Sequence, residues 1–330
     1  MKNSLSKHRV VITDYNFASL DIERSVLEPL GIEISAHQCK TLEQLQSETL
    51  DAVGLLNQYF GPLGEELFKN CPRLRMIVRY GIGVDTIDIP AATRYGIMVS
   101  NVPEFCLEEV SDHAAALILN LARKISVAMD ASQKGQYDWK ILKPIHRLKD
   151  RVVGFIGFGR IARRTAQKLA SFGPRFVFYD PFLPEARAEG AEKVTLEALL
   201  RSSDYISIHC PETAETRRLL NEERLALMKP GAFLINTSRG GIVQTDVLVD
   251  LLRKDRIAGA ALDVVEGVPP LMPDHPLCSM SNVILTPHSA WYSEESLKQV
   301  QKDAADEMGR GIAGGSPKYL LNPEVLKQKA

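Results

Sequence analysis

The chain has 330 residues, of which 45% are hydrophobic, and its 40 basic residues nearly balance its 41 acidic ones. This length suits two hydrophobic cores better than one, and the balanced charge gives no electrostatic argument for nucleic acid or an acidic membrane as a partner. No apolar run approaches the roughly 18 residues that span a bilayer, the N-terminus has no signal-peptide core, and the five cysteines include no CxxC pair, so we expect a cytoplasmic protein without disulfides or a metal site.

Residues 1 to about 101 alternate short apolar runs with helical patterns. Strands that alternate with helices imply right-handed crossovers and a parallel sheet. This segment therefore predicts a small α/β domain, and it carries no phosphate-binding fingerprint. An amphipathic helix from Glu294 to Gly311 is expected to return to it, so the predicted domain comprises residues 1–101 and 293–330. The apolar runs are Val10–Ile12, Ile32–Ile34, Asp51–Leu56, Met76–Val78 and Ile97–Val99.

A long helical pattern follows, from about Leu107 to Gln133. Its middle, Ala114–Ala122, is apolar nearly all round. A helix without a polar face is buried, here either between domains or between subunits. The pattern therefore suggests a homodimer.

Residues 102–292 predict a second, doubly wound domain, because the apolar run Arg151–Ile156 leads into Gly157-Phe-Gly-Arg-Ile-Ala162. Gly157 permits a tight turn, and Gly159 lets the backbone approach a pyrophosphate at the N-terminus of the next helix. A second strand ends at Asp180, whose carboxylate can accept hydrogen bonds from an adenosine ribose. This order of elements predicts a dinucleotide site. Asp180 is followed by proline, with no nearby arginine for a 2′-phosphate, which favours NAD over NADP.

Polar side chains follow the later strands of this domain, where ligands of parallel sheets bind. His288 comes just after an apolar strand, and histidine titrates nearest neutrality, so it can exchange a proton with a substrate hydroxyl. Arg239 precedes two glycines that leave room for a ligand, and its guanidinium can hold a carboxylate with two hydrogen bonds. Asp263 could accept a hydrogen bond from a nicotinamide. The alternatives are a hydrogen-bonded loop histidine, a surface ion pair and an aspartate that only caps a turn.

Six motifs in order resemble the D-isomer-specific 2-hydroxyacid dehydrogenase family over nearly the whole chain. Two stretches, Asn101–Glu109 and Thr286–Glu294, resemble most closely the branch that contains the C-terminal-binding protein corepressors. The family motifs are matched by Gly157–Ala162, Tyr179–Pro181, His209–Pro211, Asn236–Gly241, Gly259–Asp263 and Thr286–His288, and the early segment Arg79–Asp85 also fits.

The resemblance implies a Rossmann NAD-binding domain, a flavodoxin-like substrate domain, a homodimer, and hydride transfer between NAD(H) and C2 of a small 2-oxo or (R)-2-hydroxy acid. By position, His288 is the general acid/base, and Arg239 binds and polarises the oxo acid. The implied substrate contacts are Arg79, Trp291 and main-chain N–H groups of the loop Tyr80, Gly81, Ile82 and Gly83. The implied cofactor contacts are Gly157, Gly159, Arg160, Ile161, Asp180, Pro211, Thr216, Thr237 and Asp263. Because the chain crosses twice between the predicted domains, we expect a cleft that closes over the substrate.

One departure from the family pattern concerns the partner of the catalytic histidine. The family has a glutamate five residues after the aspartate of its Ala-Leu-Asp motif, and here that position is Val268. Glu266 is a candidate substitute. On an extended segment its side chain would share a face with that of residue 268 but lie about 6–7 Å from it, so Glu266 would reach His288 only after a local shift. Without a carboxylate the imidazolium loses its anionic partner, which weakens it as an acid. We therefore expect a handicapped dehydrogenase, and the alternative is an NAD-responsive, corepressor-like binding protein.

Overall fold

The computed structural model describes residues 8–184, 190–268 and 271–328. The chain divides into two compact units, Met1–Cys106 with Ser293–Ala330, and Leu107–Tyr292. The sequence places the corresponding boundaries after residues 101 and 292. Among the described residues, no helix has the length and apolar character needed to cross a membrane.

The first unit is built on a parallel sheet, as the alternation of strands and helices predicts. Its strands are β1 (His8–Ile12), β2 (Ile32–Ala36), β3 (Gly54–Asn57), β4 (Met76–Arg79) and β5 (Met98–Ser100), and its helices are α1 (Asp21–Leu27), α2 (Leu42–Thr49), α3 (Glu65–Asn70), α4 (Ile89–Arg94) and the C-terminal α11 (Glu294–Ile312). The strand order β2-β1-β3-β4-β5, with every pair parallel, is that of a flavodoxin-like fold. The C-terminal helix α11, which the sequence predicts to return to this domain, packs against β3 and β4.

The second unit is a larger parallel sheet with helices on its faces. Its strands are β6 (Val152–Ile156), β7 (Arg175–Tyr179), β8 (Ala191–Lys193), β9 (Tyr205–Ile208), β10 (Phe233–Asn236), β11 (Gly259–Leu262) and β12 (Val283–Leu285), and its helices are α5 (Leu107–Arg123), α6 (Ile125–Gln133), α7 (Arg160–Leu169), α8 (Leu196–Ser202), α9 (Glu222–Leu225) and α10 (Thr245–Arg253). The strand order is β12-β11-β10-β9-β6-β7-β8. Successive strands are added on one side of β6 and then on the other, which is the Rossmann arrangement. Ligands of such sheets bind at the carboxyl ends of the strands around β6.

The long helix predicted for 107–133 is interrupted. Lys124 has a left-handed backbone, with φ of 52°, so α5 ends at Arg123 and α6 begins at Ile125. The apolar side chains of α5, including Ile118, pack with Phe155 and Phe158 in the core of the second unit. The apolar middle of α5 is therefore covered within its own unit, and its burial is not evidence for a subunit interface.

Candidate active site

The glycine-rich turn between β6 and α7 has the geometry that a diphosphate requires. Gly157 has φ of +83°, and a Cβ there would lie 2.7 Å from the backbone nitrogen of Cys210. Gly159 precedes α7 without a side-chain cap, and a Cβ there would meet no heavy atom within 4 Å. Gly157 is therefore required by packing against the backbone just after β9, whereas Gly159 leaves open space in front of the helix N–H groups. Arg160 and Ile161, both predicted to contact the cofactor, form the first turn of α7.

Asp180 closes β7 and is tied to the same turn. Its Oδ2 accepts a hydrogen bond from the Phe158 N–H at 2.9 Å, and its Oδ1 accepts one from the Phe182 N–H at 2.9 Å. A carboxylate offers about four lone-pair sites, so both oxygens keep capacity for ribose hydroxyls. The carboxylate is thus held in place before any ligand arrives.

Three further predicted cofactor residues, Pro211, Thr216 and Thr237, lie in the segments that follow β9 and β10. Thr216 donates a hydrogen bond from Oγ1 to the Pro211 carbonyl at 2.6 Å, which brings these two residues together. The Oγ1 of Thr237 is buried and has no hydrogen-bond partner among the described residues. A buried hydroxyl without a partner is costly, and a bound ligand could satisfy it. The open glycine, the uncapped helix, the held aspartate and this hydroxyl together fit a dinucleotide.

His209 is a packing residue of this region. Its ring contacts the Phe155 ring, with centroids 5.7 Å apart, and its Nε2 is 2.8 Å from Ser207 Oγ. Removal from water lowers the pKa of His209 to about 3. It therefore stays neutral at physiological pH, and nothing in its surroundings favours a role in proton transfer.

His288 is exposed and lies beyond the end of β12 in an uncommon backbone conformation. Its φ is +53°, in the left-handed region that non-glycine residues rarely adopt. The His288 N–H donates to the backbone oxygens of Asp263 and Thr286, both at 3.0 Å. Strained backbone of this kind persists only where the surrounding structure enforces it, and it concentrates at active sites.

Asp263 supplies much of that enforcement. The residue is 3% exposed, and its Oδ1 accepts hydrogen bonds from Thr286 Oγ1 at 2.5 Å and from the Ser289 N–H at 2.9 Å. Its Oδ2 accepts one from the Ala290 N–H at 3.0 Å. Asp263 thus binds the loop on both sides of His288. Its predicted contact with the cofactor stays a prediction.

Arg239 follows β10 in a tightly packed turn. Its Nη1 donates to the Ser238 carbonyl at 2.8 Å, and its own carbonyl accepts from Asn236 Nδ2 at 2.9 Å. A Cβ at Gly240 would overlap the backbone of Val265. The glycine therefore lets the Arg239 turn contact the loop that follows β11, so that two functional segments of the second unit lie against each other.

Glu266 and Val268 lie on that loop. The Glu266 carboxylate accepts hydrogen bonds from Arg218 Nε at 2.7 Å and from the Thr245 N–H at 3.3 Å, at the start of α10. Val268 is partly buried and packs against the core of the second unit. Glu266 therefore has an ionic partner other than His288, and its suggested role as the histidine's partner stays a prediction.

The predicted substrate loop belongs to the first unit. The Tyr80 side chain is 2% exposed and points into that unit, where its hydroxyl donates to Glu23 at 2.9 Å. Asn101 Nδ2 donates to the Ile82 carbonyl at 2.6 Å. Gly81 has φ of +145°, and a Cβ there would overlap the Arg79 guanidinium. The loop is thus anchored by side chains that sequence patterns do not reveal.

Glu23 is itself fully buried. Gln301 of α11 donates to both of its oxygens, at 3.1 and 3.0 Å. Burial raises the pKa of Glu23, and the donors from Tyr80 and Gln301 oppose that shift. Trp291, also predicted to contact substrate, lies in the second unit with its ring edge-on to Tyr292, at 5.9 Å between centroids.

Comparison with known proteins agrees with this geometry. Residues 115–290 match the family model described as D-isomer specific 2-hydroxyacid dehydrogenase, NAD binding domain. The chain is 38% identical over 306 residues to a glyoxylate reductase of Thermofilum pendens, covering 89% of this chain and 90% of the relative. The chain belongs to the D-isomer specific 2-hydroxyacid dehydrogenase family. It is therefore an NAD-dependent oxidoreductase that transfers hydride between the cofactor and C2 of a small 2-oxo or 2-hydroxy acid.

Solved structures of other dehydrogenases have the same fold. A D-lactate dehydrogenase from Aquifex aeolicus, solved with NAD and lactic acid, is 28% identical with a TM-score of 0.84, and the match covers 97% of this chain and 98% of that one. A glyoxylate reductase from Paecilomyes thermophila is 25% identical with a TM-score of 0.87, covering 97% and 99%. These relatives support membership of the dehydrogenase family. They give no support to the resemblance to the corepressor branch, which rested on two short stretches.

Proposed function

We propose that this dehydrogenase reduces glyoxylate or a similarly small 2-oxo acid with NADH, with His288 as the general acid and Arg239 as the substrate-binding cation. The observation that carries the proposal is the left-handed backbone at His288, which Asp263 holds beyond the strands that bear the dinucleotide features. The names of the glyoxylate reductases among its relatives support the small substrate.

The proposed roles follow from the chemistry of each side chain. Bound NADH supplies the hydride. The exposed imidazole of His288 donates a proton to the carbonyl oxygen of the substrate as the alcohol forms. Arg239 binds the substrate carboxylate with its planar guanidinium, and the same charge polarises the adjacent carbonyl. To Arg79 and the backbone of Tyr80, Gly81 and Ile82 we assign further contacts with the carboxylate, as the family resemblance implies.

The test is NADH oxidation with a panel of 2-oxo acids that increase in size from glyoxylate. We expect the highest kcat/KM for the smallest members. His288→Gln should lower kcat by about a hundredfold or more, as expected for the loss of a general acid, while NADH still quenches protein fluorescence. Arg239→Lys should mainly raise KM for the oxo acid. A His288→Gln variant with full turnover would contradict the assignment.

A second function, an NAD-responsive binding protein with little turnover, is favoured by one observation. The residue at the family's glutamate position is Val268, and Glu266 is paired with Arg218. The same panel separates the two: tight NADH binding with no turnover on any oxo acid would favour the binding protein. The family relationship and the glyoxylate reductases among the relatives support the enzyme over this alternative.

We also propose a homodimer and a cytoplasmic location. Exposed apolar side chains lie in α6 and in the segment that follows it. Met129 in α6 is 57% exposed, and Tyr137 and Trp139 after α6 are 95% and 68% exposed. If these side chains are covered in a dimer, the double variant Tyr137→Lys, Trp139→Lys should sediment as a monomer, and Phe182→Lys, at a similarly exposed site elsewhere, should not. Five free cysteines suit a reducing compartment, and cell fractionation tests that location.

A further inference from the structure

His113 has no role in the proposed reaction. It is nevertheless connected by hydrogen bonds, through Thr286, to the Asp263 carboxylate that holds the loop around His288. It belongs to α5, and its Nε2 is 3.1 Å from Thr286 Oγ1. Thr286 is two residues before His288, and its Oγ1 is 2.5 Å from Asp263 Oδ1. The His113 side chain is 24% exposed, and its Nε2 is 3.8 Å from the same carboxylate oxygen.

The direction of each hydrogen bond in this chain follows from the available protons. A threonine hydroxyl has one proton, and the Asp263 carboxylate accepts hydrogen bonds at both of its oxygens, so Thr286 donates to Asp263. Thr286 Oγ1 must then accept from His113, which requires a proton on His113 Nε2. The chain therefore runs from His113 to Thr286 to Asp263, and hydrogen bonds connected in this way strengthen one another.

The end of the chain is the group that shapes the catalytic loop. Besides Thr286, Asp263 accepts from the N–H groups of Ser289 and Ala290, the two residues after His288. A left-handed residue that is not glycine is unfavourable, so the loop depends on these contacts to keep its conformation. A carboxylate that turned away would release them together.

We propose that His113 is a positioning residue for His288 and acts through Thr286 and Asp263. The donor from His113 holds the Thr286 hydroxyl, the hydroxyl holds one carboxylate oxygen, and the carboxylate holds the backbone around His288. His113 contacts neither substrate nor cofactor in this scheme. The inference rests on the proposed function, because it takes His288 as the group whose position matters.

The experiment compares two substitutions at His113 that differ in one property. Phenylalanine keeps a ring of similar shape but has no donor, whereas the amide nitrogen of glutamine can replace Nε2. We expect His113→Phe to lower kcat about tenfold, the change in rate that corresponds to about 1.4 kcal/mol. KM for the oxo acid and the Kd of NADH should change less than twofold, and His113→Gln should recover most of kcat. Asp112→Asn, at an exposed neighbour paired with Lys168, should behave as the unmodified protein.

Substitutions at Thr286 provide an independent test of the same proposal if His113→Phe does not fold. Thr286→Val removes the hydroxyl at constant shape, and Thr286→Ser keeps it, so only the valine variant should lose kcat. In the double variant with His113→Phe, the two losses should not add, because both break one chain.

Several outcomes would overturn the proposal. They are an unchanged kcat in His113→Phe, equal losses in the phenylalanine and glutamine variants, additive losses with Thr286→Val, or a loss confined to NADH binding. Failure of the proposed function is recognised separately: His288→Gln would then keep its turnover, whatever the His113 variants do.

Discussion

Replacing Val268 by glutamate tests whether the absent carboxylate limits this enzyme. Val268 ends a turn in which its N–H donates to the Val265 carbonyl at 3.2 Å, and its side chain packs on the edge of the core. The nearby carboxylate of Glu266 is held by Arg218 and the start of α10. Val268→Glu therefore adds a carboxylate at the position where the family has one.

The expected magnitude follows from the partial burial of this position. Two opposite charges 4 Å apart attract by about 4 kcal/mol at an effective dielectric constant of about 20, and desolvation of the new carboxylate removes part of that energy. A hydrogen bond to a charged group is worth about 1.5–3 kcal/mol net. Each 1.4 kcal/mol that favours the protonated imidazole moves the alkaline limb of the reduction rate upward by about one pH unit.

We therefore expect Val268→Glu to move the alkaline limb of the reduction rate to higher pH by about one to two units. Reduction on the alkaline side of the limb should therefore become about tenfold faster or more, with little change on the acid side. The assay is kcat/KM for the preferred oxo acid between pH 5 and 9. Val268→Gln is the control, because it has the same shape and loses the same apolar contact but carries no charge. Superimposable profiles of the glutamate and glutamine variants would refute the reasoning.

Three further predictions concern the stability of the site. His209, whose pKa is lowered to about 3, stays neutral in the folded chain while the unfolded chain gains a proton below about pH 6.5. Stability should fall by about 1–2 kcal/mol more between pH 7 and 5 in the unmodified protein than in His209→Asn, measured by urea unfolding, and equal falls would contradict this. Tyr80→Phe leaves Glu23 one donor short, so it should lose about 1–3 kcal/mol of stability and raise KM for the oxo acid; an unchanged KM would show that the anchor does not affect substrate. Gly157→Ala should lower stability by about 1–3 kcal/mol, whereas Gly159→Ala should cost under about 1 kcal/mol but weaken NADH binding at least tenfold; equal stability losses would show that Gly157 is not specially constrained.

The sequence predicted both sheets because their strands are strongly apolar and regularly spaced. Buried parallel strands are continuous hydrophobic runs, and the glycine motif after Ile156 identified the unit that binds the dinucleotide. The break at Lys124 was not predicted, since the apolar pattern of α5 continues into α6 and a left-handed lysine has no signature in composition. The apolar middle of α5 suggested a subunit contact because sequence alone does not say which surface covers an apolar helix.

The sequence patterns did not predict the hydrogen bonds between side chains of the site. Tyr80 and Glu23 are 57 positions apart in the chain, and His113 and Thr286 are 173 apart. Such pairs depend on the register of whole sheets and helices, which no local motif encodes. Asp263 illustrates the same limit: its place after β11 was predictable, but the three donors that the loop directs at its carboxylate were not.

The Asp263 contacts also explain how the chain can lack the usual glutamate. A carboxylate beside a catalytic histidine has two effects: it orients the ring, and it stabilises the protonated form. Here the backbone of the histidine is already oriented by Asp263, which does not need a charge at residue 268 to do so. The replacement by Val268 should therefore affect protonation more than position. This predicts that Val268→Glu changes the pH profile of reduction and leaves the rate at low pH nearly unchanged, whereas an effect on position would change the rate equally at every pH.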